Sequence, residues 1–207
     1  MTKEFYNQYW QNRKDSKVKY RYRVFGSWIE PNSKILDIGC GDGIFAAYLK
    51  EYKKGVITGV DISEEACERT RKKNIECFCI DVEKGLPFET NSFDYVIASE
   101  ILEHIGSSEA ALKEMIRVSG KYLIVSVPNI AFWRYRLQLL FGRFPKQWLI
   151  HPVEHLRFWS YKDFKKWLKQ FNLEISAFRG TAGKRWLRDI WPNLFAQQIA
   201  FKLLVKK

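Results

Sequence analysis

The stretch ILDIGCGDGIF, residues 35–45, decides the fold of this chain. An apolar run ends in glycines at alternate positions, Gly39, Gly41 and Gly43, and apolar residues resume at once in IFAAYLKEY. This order predicts a buried strand, a tight loop and a helix. The first N–H groups of such a helix have no partner inside it, and glycine lets a ligand approach the backbone closely. We therefore expect a ligand to lie against the loop.

The alternation of strand and helix continues along the chain. The runs VITGVDI, IECFCI, FDYVIAS and KYLIVSVP are typical of strands, and most of the segments between them are typical of helices, one of which begins after Ser63 as its N-cap. Strands and helices in this order predict βαβ units with right-handed crossovers. Beyond Asn129 two more helices and two more strands, NLEISAF and QQIAFKLLV, are expected. The predicted fold is α/β: a single doubly wound, Rossmann-like domain with a mostly parallel seven-stranded sheet and helices on both faces.

Composition limits the classes of protein that remain. Of the 207 residues, 46% are hydrophobic and 28% charged, which indicates a folded domain, and no apolar segment is long enough to span a membrane. The polar N-terminus lacks the apolar core of a signal peptide, so we expect a cytoplasmic protein. The four cysteines lack the paired spacing of zinc or redox sites, and no metal ligands are predicted. Cys77 and Cys79 are expected on one face of a strand as small apolar residues, with a metal or redox role as the alternative.

Charge is spread unevenly. The net charge of +12 divides into +5 for residues 1–34, −5 for residues 35–127 and +12 for residues 128–207. An acidic middle between basic flanks is typical of a protein that binds one ligand in the middle and an anionic partner or substrate at the flanks. A well-solvated basic surface would give the same distribution.

Acidic residues end three successive predicted strands. Asp37 precedes the glycines, where it could accept from an ammonium group. Asp61 follows Gly41 by twenty residues, the usual place for a carboxylate that binds ribose hydroxyls. Asp81 could accept from an adenine amino group or simply cap a turn. The dinucleotide fingerprint GxGxxG would need a third glycine where Ile44 stands, so a nicotinamide cofactor is not predicted.

These motifs, DIGCGDG, GVDIS, IDVEKGLPF and SFDYVIASEILEHI in that order, resemble the class I S-adenosylmethionine-dependent methyltransferases over residues 33–129. The later EMIRVSGKYLIVSVPNIAFWRYRLQLLFGRFP and HLRFWSYKDF look like the MetW-like methyltransferases, over about residues 35–175. The resemblance implies S-adenosyl-L-methionine as cofactor and S-adenosyl-L-homocysteine as product. It assigns cofactor contacts to residues of the first four strand ends: Asp37, Gly39, Cys40 and Gly41 for the methionine part, Asp61 for the ribose, Ile62, Asp81 and Val82 for the adenine, and Ser99 beside the sulfonium.

The resemblance also implies a domain organisation. Residues 1–32 are expected to form an N-terminal helical lid over the cofactor, although their aromatic residues could pack against the sheet edge instead. Residues 33–207 are expected to form the methyltransferase domain. A segment at about residues 130–158 follows the carboxyl end of the fifth strand, where ligands of open α/β sheets bind, and is predicted to be an insertion that faces the substrate.

Two groups of residues are candidates for handling the methyl acceptor. A base assists methyl transfer to a hydroxyl or amine, and the candidates are Glu100, His104 and His155. Glu100 and His104 could instead form a surface pair on a helix, and His155 could pack a loop. The basic and aromatic insertion could bind the acceptor, or could be an amphipathic helix whose Phe132, Tyr135 and Leu139 cover the core. The substrate-binding candidates are Asn129, Trp133, Arg134 and Arg136.

The predicted function is methyl transfer from S-adenosylmethionine to a small or glycan-type anionic acceptor. SEILEH after the fourth strand and Pro128-Asn129 after the fifth do not match the motifs of exocyclic-amine or cytosine methylation, so those two nucleic-acid chemistries are not predicted. One alternative is implied by the family resemblance: a cofactor-binding partner of a homoserine acyltransferase in methionine biosynthesis. The other is a binder of RNA or of an anionic surface, through the basic aromatic segment.

Overall fold

The computed structural model describes residues 2–145 and 155–206. Its sheet has the order β3-β2-β1-β4-β5-β7-β6. Strands β1 to β5 run parallel, and β7 is antiparallel to its neighbours β5 and β6. The doubly wound α/β prediction is therefore confirmed. The strands are β1 Lys34–Ile38, β2 Val56–Asp61, β3 Glu76–Cys79, β4 Phe93–Ser99, β5 Ser119–Pro128, β6 Leu173–Gly183 and β7 Ala196–Val205.

Most helices lie where the sequence predicts them. Ser63 caps the helix after β2, because its hydroxyl accepts from the N–H of Ala66 at 3.2 Å. Two one-turn helices near residue 190 are not predicted, since four residues are too few for an amphipathic period. The α-helices are α1 Lys3–Gln11, α2 Tyr20–Trp28, α3 Ile44–Lys53, α4 Glu64–Arg71, α5 Ser108–Val118, α6 Trp133–Leu140, α7 Tyr161–Leu168, α8 Leu187–Ile190 and α9 Pro192–Phe195, with 3₁₀ turns at Val82–Lys84 and Leu102–His104.

The core lies on both faces of the sheet. Successive residues of a strand point to opposite faces, so Ile35 packs with α2 and α3 while Leu36 packs with α5 and α7. Both side chains are fully buried. Coverage of both faces explains why the parallel strands are almost continuously apolar. Truncation of a buried side chain such as Phe164 of α7 is expected to cost about 3–5 kcal/mol.

The topology also fixes where a ligand can bind. The chain leaves β1 toward β2 on one side, whereas β4 lies on the other side of β1. The loops after β1 and β4 therefore diverge and leave a crevice at the carboxyl ends of these strands. The glycine loop follows β1 at this point. Helix α1 crosses the crevice, where the ring of Trp10 lies against Gly41.

The described residues contain only part of the predicted insertion. The expected insertion at 130–158 begins with α6, but residues 146–154 lie outside the described residues. Within the described part of the chain, none of the helices has the length and apolar character needed to cross a membrane.

Candidate functional site: a pocket at the switch point of the sheet

A pocket of about 270 Å³ opens at the carboxyl ends of the first four strands. Helix α1 and the chain that follows it form one wall, and the glycine loop forms the floor. All nine residues that the sequence assigns to the cofactor line this pocket: Asp37, Gly39, Cys40, Gly41, Asp61, Ile62, Asp81, Val82 and Ser99.

The glycine loop leaves no room for side chains. Gly39 and Gly41 have φ angles of 68° and 59°, a region that favours glycine. A Cβ atom on Gly39 would lie 2.0 Å from the Ile101 side chain, and one on Gly41 would lie 2.6 Å from the Trp10 ring. Both glycines are therefore required for the turn and for the close approach of neighbouring groups.

Asp37 places a carboxylate at the floor of the pocket. Its side chain is buried, and its Oδ2 has no hydrogen-bond partner among the described residues. Burial, and next the nearby carboxylate of Asp61, raise the pKa of Asp37 to about 8. A carboxylate in this position is suited to a cationic ligand, whose charge would replace the missing partner.

Asp61 holds the loop and still faces the pocket. Its Oδ2 accepts from the N–H of Gly41 at 3.0 Å, and its Oδ1 accepts from the N–H of Ser63 at 2.9 Å. Burial raises the pKa of Asp61 to about 6, against the lowering effect of these backbone N–H groups. A carboxylate can accept about four hydrogen bonds, so Asp61 keeps acceptor capacity for ligand hydroxyls.

The remaining cofactor candidates are arranged around the rim. Asp81 caps the 3₁₀ turn Val82–Lys84, because its Oδ1 accepts from the N–H of Glu83 at 3.0 Å, so the capping alternative is also realised. The Sγ of Cys40 lies 3.4 Å from that of Cys77 in the interior, so Cys40 presents its backbone to the pocket. Ser99 ends β4, with its hydroxyl 3.4 Å from that of Ser126.

Two of the three candidate bases line the pocket. Glu100 follows β4 in a left-handed backbone conformation, with φ at 59°, and His104 ends the 3₁₀ turn Leu102–His104. They are not a pair on the surface of one helix. Glu100 Oε2 accepts from Gln198 Nε2 at 2.8 Å, and burial raises the pKa of Glu100 while Arg21 opposes the rise.

The third candidate base, His155, lies against His104, with ring centroids 4.7 Å apart. Its backbone is fixed because the N–H groups of Leu156 and Arg157 both donate to the carbonyl of Glu103, at 2.7 and 3.2 Å. Burial, and then the neighbouring His104, lower the pKa of His155 to about 4. His155 is therefore a neutral imidazole near pH 7.

The four substrate-binding candidates do not line the pocket. Asn129 is fully buried, its Nδ2 donates to carbonyls of residues 192, 193 and 196, and its Oδ1 accepts from two backbone N–H groups. This amide holds the chain after β5, and the structure does not bring it to the pocket. Arg134 is exposed above the ring of Trp133, and Arg136 donates to the carbonyls of Ala131 and Asn193.

Helix α6 fits the amphipathic alternative only in part. Phe132 and Tyr135 are buried as that alternative requires, but Leu139 is 50% exposed.

The pocket is also lined by basic side chains that the sequence motifs do not indicate. Arg13, Lys19 and Arg21 from the N-terminal region line it. The Nε of Arg21 is buried and has no hydrogen-bond partner among the described residues. The only sequence signal for them is the charge of +5 on residues 1–34, which does not indicate where the segment folds.

A seven-stranded sheet with an antiparallel β7 between β5 and β6, and a glycine loop after β1, defines the class I S-adenosylmethionine-dependent methyltransferases. The family described as "Methionine biosynthesis protein MetW" matches residues 19–203. The chain therefore belongs to the MetW family, as the sequence motifs predict. The cofactor of this structural class is S-adenosylmethionine.

Curated relatives agree with this placement. The chain is 30% identical over 188 residues to the bifunctional methionine biosynthesis protein MetXA/MetW of Rhodopirellula baltica, a match that covers 81% of this chain and 30% of that protein. The chain thus spans less than a third of the length of that relative. It is 31% identical over 186 residues to the demethylmenaquinone methyltransferase of Staphylococcus epidermidis, covering 83% of this chain and 75% of that enzyme.

Solved structures share the fold. Magnesium protoporphyrin IX methyltransferase (ChlM) from Synechocystis PCC 6803, with bound SAH, superposes with a TM-score of 0.73 at 16% identity, over 99% and 98% of the two chains. A protein from Pyrococcus horikoshii OT3 gives a TM-score of 0.69 at 20% identity, over 96% and 99%. At these identities the likeness concerns the fold.

Proposed function

We propose that this protein binds S-adenosylmethionine in the pocket described above and transfers its methyl group to a small or glycan-type anionic acceptor. The observation that carries the proposal is the convergence of the bare glycine loop with Asp37 and Asp61 on a single cavity at the switch point of the sheet. Membership of the MetW family and the demethylmenaquinone methyltransferase relative support the same chemistry.

Each part of the cofactor has a matching group in the pocket. Asp37 would accept from the ammonium of the methionine part, where its Oδ2 has no partner among the described residues. The backbone of residues 39–41 would lie against the same part. Asp61 would accept from the ribose hydroxyls. Ile62, Asp81 and Val82 would enclose the adenine, and Ser99 would lie beside the sulfonium.

The cofactor supplies an activated methyl group, so the protein has to align the acceptor and exclude water. Residues 1–32 would do the second task as a lid. The aromatic side chains of Tyr6 and Trp10 already line the pocket, and Asn7 ties α1 to the domain by accepting from the Ser63 hydroxyl at 2.8 Å.

The acceptor side of the pocket is cationic. Arg13, Lys19 and Arg21 would bind a carboxylate or phosphate of the acceptor, and Arg21 has a buried donor to offer. Glu100 and His104 line the same region and can accept the proton of an acceptor hydroxyl or amine. Trp133 and Arg134 on α6 would contact only an acceptor that extends beyond the pocket, as a glycan does.

The test uses purified protein and S-adenosylmethionine labelled on its methyl group. A cell lysate would be separated into protein, RNA, lipid or glycan, and small-molecule fractions, and each fraction would be incubated with the enzyme. We expect label in the glycan or small-molecule fraction, and none with the Asp61→Ala variant. Cofactor binding measured by calorimetry, with no label in any fraction, would contradict methyl transfer while leaving the cofactor site intact.

A second candidate function is that of a binding partner of a homoserine acyltransferase in methionine biosynthesis. Two observations favour it: a relative carries MetXA and MetW in one chain, and α6 with the residues after it exposes several large apolar side chains. Phe141 is 76% exposed on this surface. If a partner covers the surface, Phe141→Asp should abolish co-purification with the acyltransferase. Tyr52→Asp, at an exposed aromatic residue on α3, is the matched control. Equal co-purification of both variants would contradict this function.

A further inference from the structure

Three side chains with metal-binding donors meet at the rim of the pocket. One donor atom each from Glu103, His104 and His155 lies within 4.8 Å of the other two. The Oε1 of Glu103 is 4.0 Å from the Nε2 of His104. The two imidazole rings are nearly perpendicular, at 80°, with centroids 4.7 Å apart. This cluster brings together residues from two distant parts of the chain.

Glu103 gives a second, independent observation. Its side chain is only 1% exposed, and neither carboxylate oxygen has a hydrogen-bond partner among the described residues. A buried carboxylate without partners is costly unless a cation or a proton compensates its charge. Neither cofactor binding nor proton removal, as proposed above, uses Glu103. Its burial at this place therefore requires another explanation.

The backbone around the cluster is firmly held. The hydroxyl of Ser108 donates to the carbonyls of Leu102 and Ile105, both at 2.9 Å, which fixes the turn that carries Glu103 and His104. The N–H groups of the two residues after His155 donate to the carbonyl of Glu103. The backbone that carries the three donors is thus held by the same few hydrogen bonds.

The donor set selects a class of metal. Two imidazoles and one carboxylate suit divalent ions such as Zn²⁺, Fe²⁺ or Co²⁺, whereas Mg²⁺ and Ca²⁺ prefer oxygen ligands alone. Donors around such an ion lie roughly 3 to 3.5 Å apart, at metal–ligand distances of about 2.1 Å. The observed spacing of up to 4.8 Å needs to close by roughly 1.5 Å, which rotation of the side chains can supply.

We propose that Glu103, His104 and His155 form a binding site for one divalent transition-metal ion at the rim of the pocket. His104 lines the pocket together with Glu100, so an ion held by this cluster would lie close to the acceptor. An acceptor hydroxyl bound there would lose its proton more readily, because a bound cation stabilises the oxyanion.

This role for the ion rests on the proposed methyl transfer, whereas binding of the ion does not. With the ion bound, His104 is a ligand and the proton of the acceptor passes to Glu100. The acceptor oxygen then bonds to the methyl carbon while the carbon–sulfur bond breaks, and the electron pair stays on sulfur. No further reactant is needed.

The experiment uses the full chain, freed of metal by a chelator and kept reduced. Zn²⁺ binding is measured by calorimetry, and Co²⁺ binding by its visible absorption. We expect one ion per chain, with affinity lowered about tenfold or more in Glu103→Gln and in His155→Ala. The exposed Glu109 on α5 offers the matched control Glu109→Gln, which should bind as the unaltered chain does. Glu103→Gln keeps the shape of the side chain and removes its buried charge, so this variant should fold.

The outcomes separate the two proposals. Asp61→Ala should weaken cofactor binding about a hundredfold and leave metal affinity unchanged, whereas His155→Ala should weaken metal binding about tenfold or more and leave cofactor affinity unchanged. Absence of stoichiometric binding would overturn the metal site. Binding that persists in both ligand variants but disappears in Cys77→Ser would place the ion on the buried cysteines and would also overturn it.

Discussion

The two sides of the pocket are built in different ways. On the cofactor side, three short segments at the ends of β1, β2 and β3 present backbone and carboxylates, and each segment is recognisable on its own. On the proposed acceptor side, residues from α1 and its following chain, from the turn after β4 and from the segment at His155 meet only in the folded protein. The first side is therefore specified by local sequence, and the second by tertiary packing.

The largest effect is expected for the buried carboxylate of the cofactor side. Because burial raises the folded-state pKa of Asp37 from 3.8 to about 8, the ligand-free protein loses stability as pH rises between these values. The side chain of Asp37→Asn does not titrate. The gain in stability of this variant over the unaltered protein should therefore be absent below pH 4 and complete above pH 8. The shift corresponds to about 6 kcal/mol at most, and solvent in the pocket reduces it. Denaturant unfolding at several pH values measures the difference, and equal stability of both proteins at pH 9 would contradict the burial argument.

Asp61 should matter most for binding. Asp61→Ala removes acceptors for two ribose hydroxyls, each worth about 1.5 kcal/mol or more, so the affinity for S-adenosylmethionine should fall about a hundredfold. Calorimetry measures the affinity. Asp94→Ala, at the opposite end of the sheet, is the control and should bind normally. Unchanged affinity of a folded Asp61→Ala protein would show that ribose binding lies elsewhere.

On the acceptor side the two candidate cations can be compared directly. Arg21 lines the pocket, whereas Arg134 lies outside its lining and is exposed. Arg21→Met should lower methyl transfer to the labelled fraction about tenfold, the size of one charge-assisted contact. Arg134→Met should change it less than about twofold, because exposed charges contribute little. The opposite order would return the acceptor site to the insertion, as the sequence alone suggests.

The smallest effect is expected for the proposed lid. The Trp10 ring lies against Gly41, so Trp10→Ala should open the pocket without disturbing the glycine loop. Loss of this aromatic contact, about 1 kcal/mol, should speed release of the cofactor about fivefold. Stopped-flow fluorescence measures the release rate. Tyr52→Ala, an exposed aromatic on α3, should leave it unchanged, and equal rates for all three proteins would contradict a lid at α1.

The difference between local sequence and tertiary packing also explains which features could be predicted from the sequence. The glycine loop and Asp61 were predictable because strand, turn and helix signals stand next to them in the chain. The roles of these residues remain predictions, although all of the cofactor candidates line one pocket. The fold was predictable because each element carries its own periodicity.

The acceptor side could not be predicted in the same way. Asn129 is a substrate-binding candidate from the sequence, and in the folded protein its amide bonds to α9 and the chain around it. Glu103 in LEH looks like any surface acid, whereas in the folded protein its side chain is 1% exposed and its carbonyl bonds to the segment after His155. Arg21 lies on α2, and the charge of the segment does not indicate where this helix packs. These outcomes rest on contacts between residues far apart in sequence, which no local pattern records.

The position of β7 has a consequence for how the protein is made. The ribosome completes β6 before β7, yet β7 separates β6 from β5 in the finished sheet. Until about residue 205 has left the ribosome, β5 has an open edge and β6 has no strand to join. Translation that stops before Ala196 therefore yields a chain with two unpaired strand edges, which favours aggregation. A strand made after both of its neighbours thus decides whether this side of the sheet is closed.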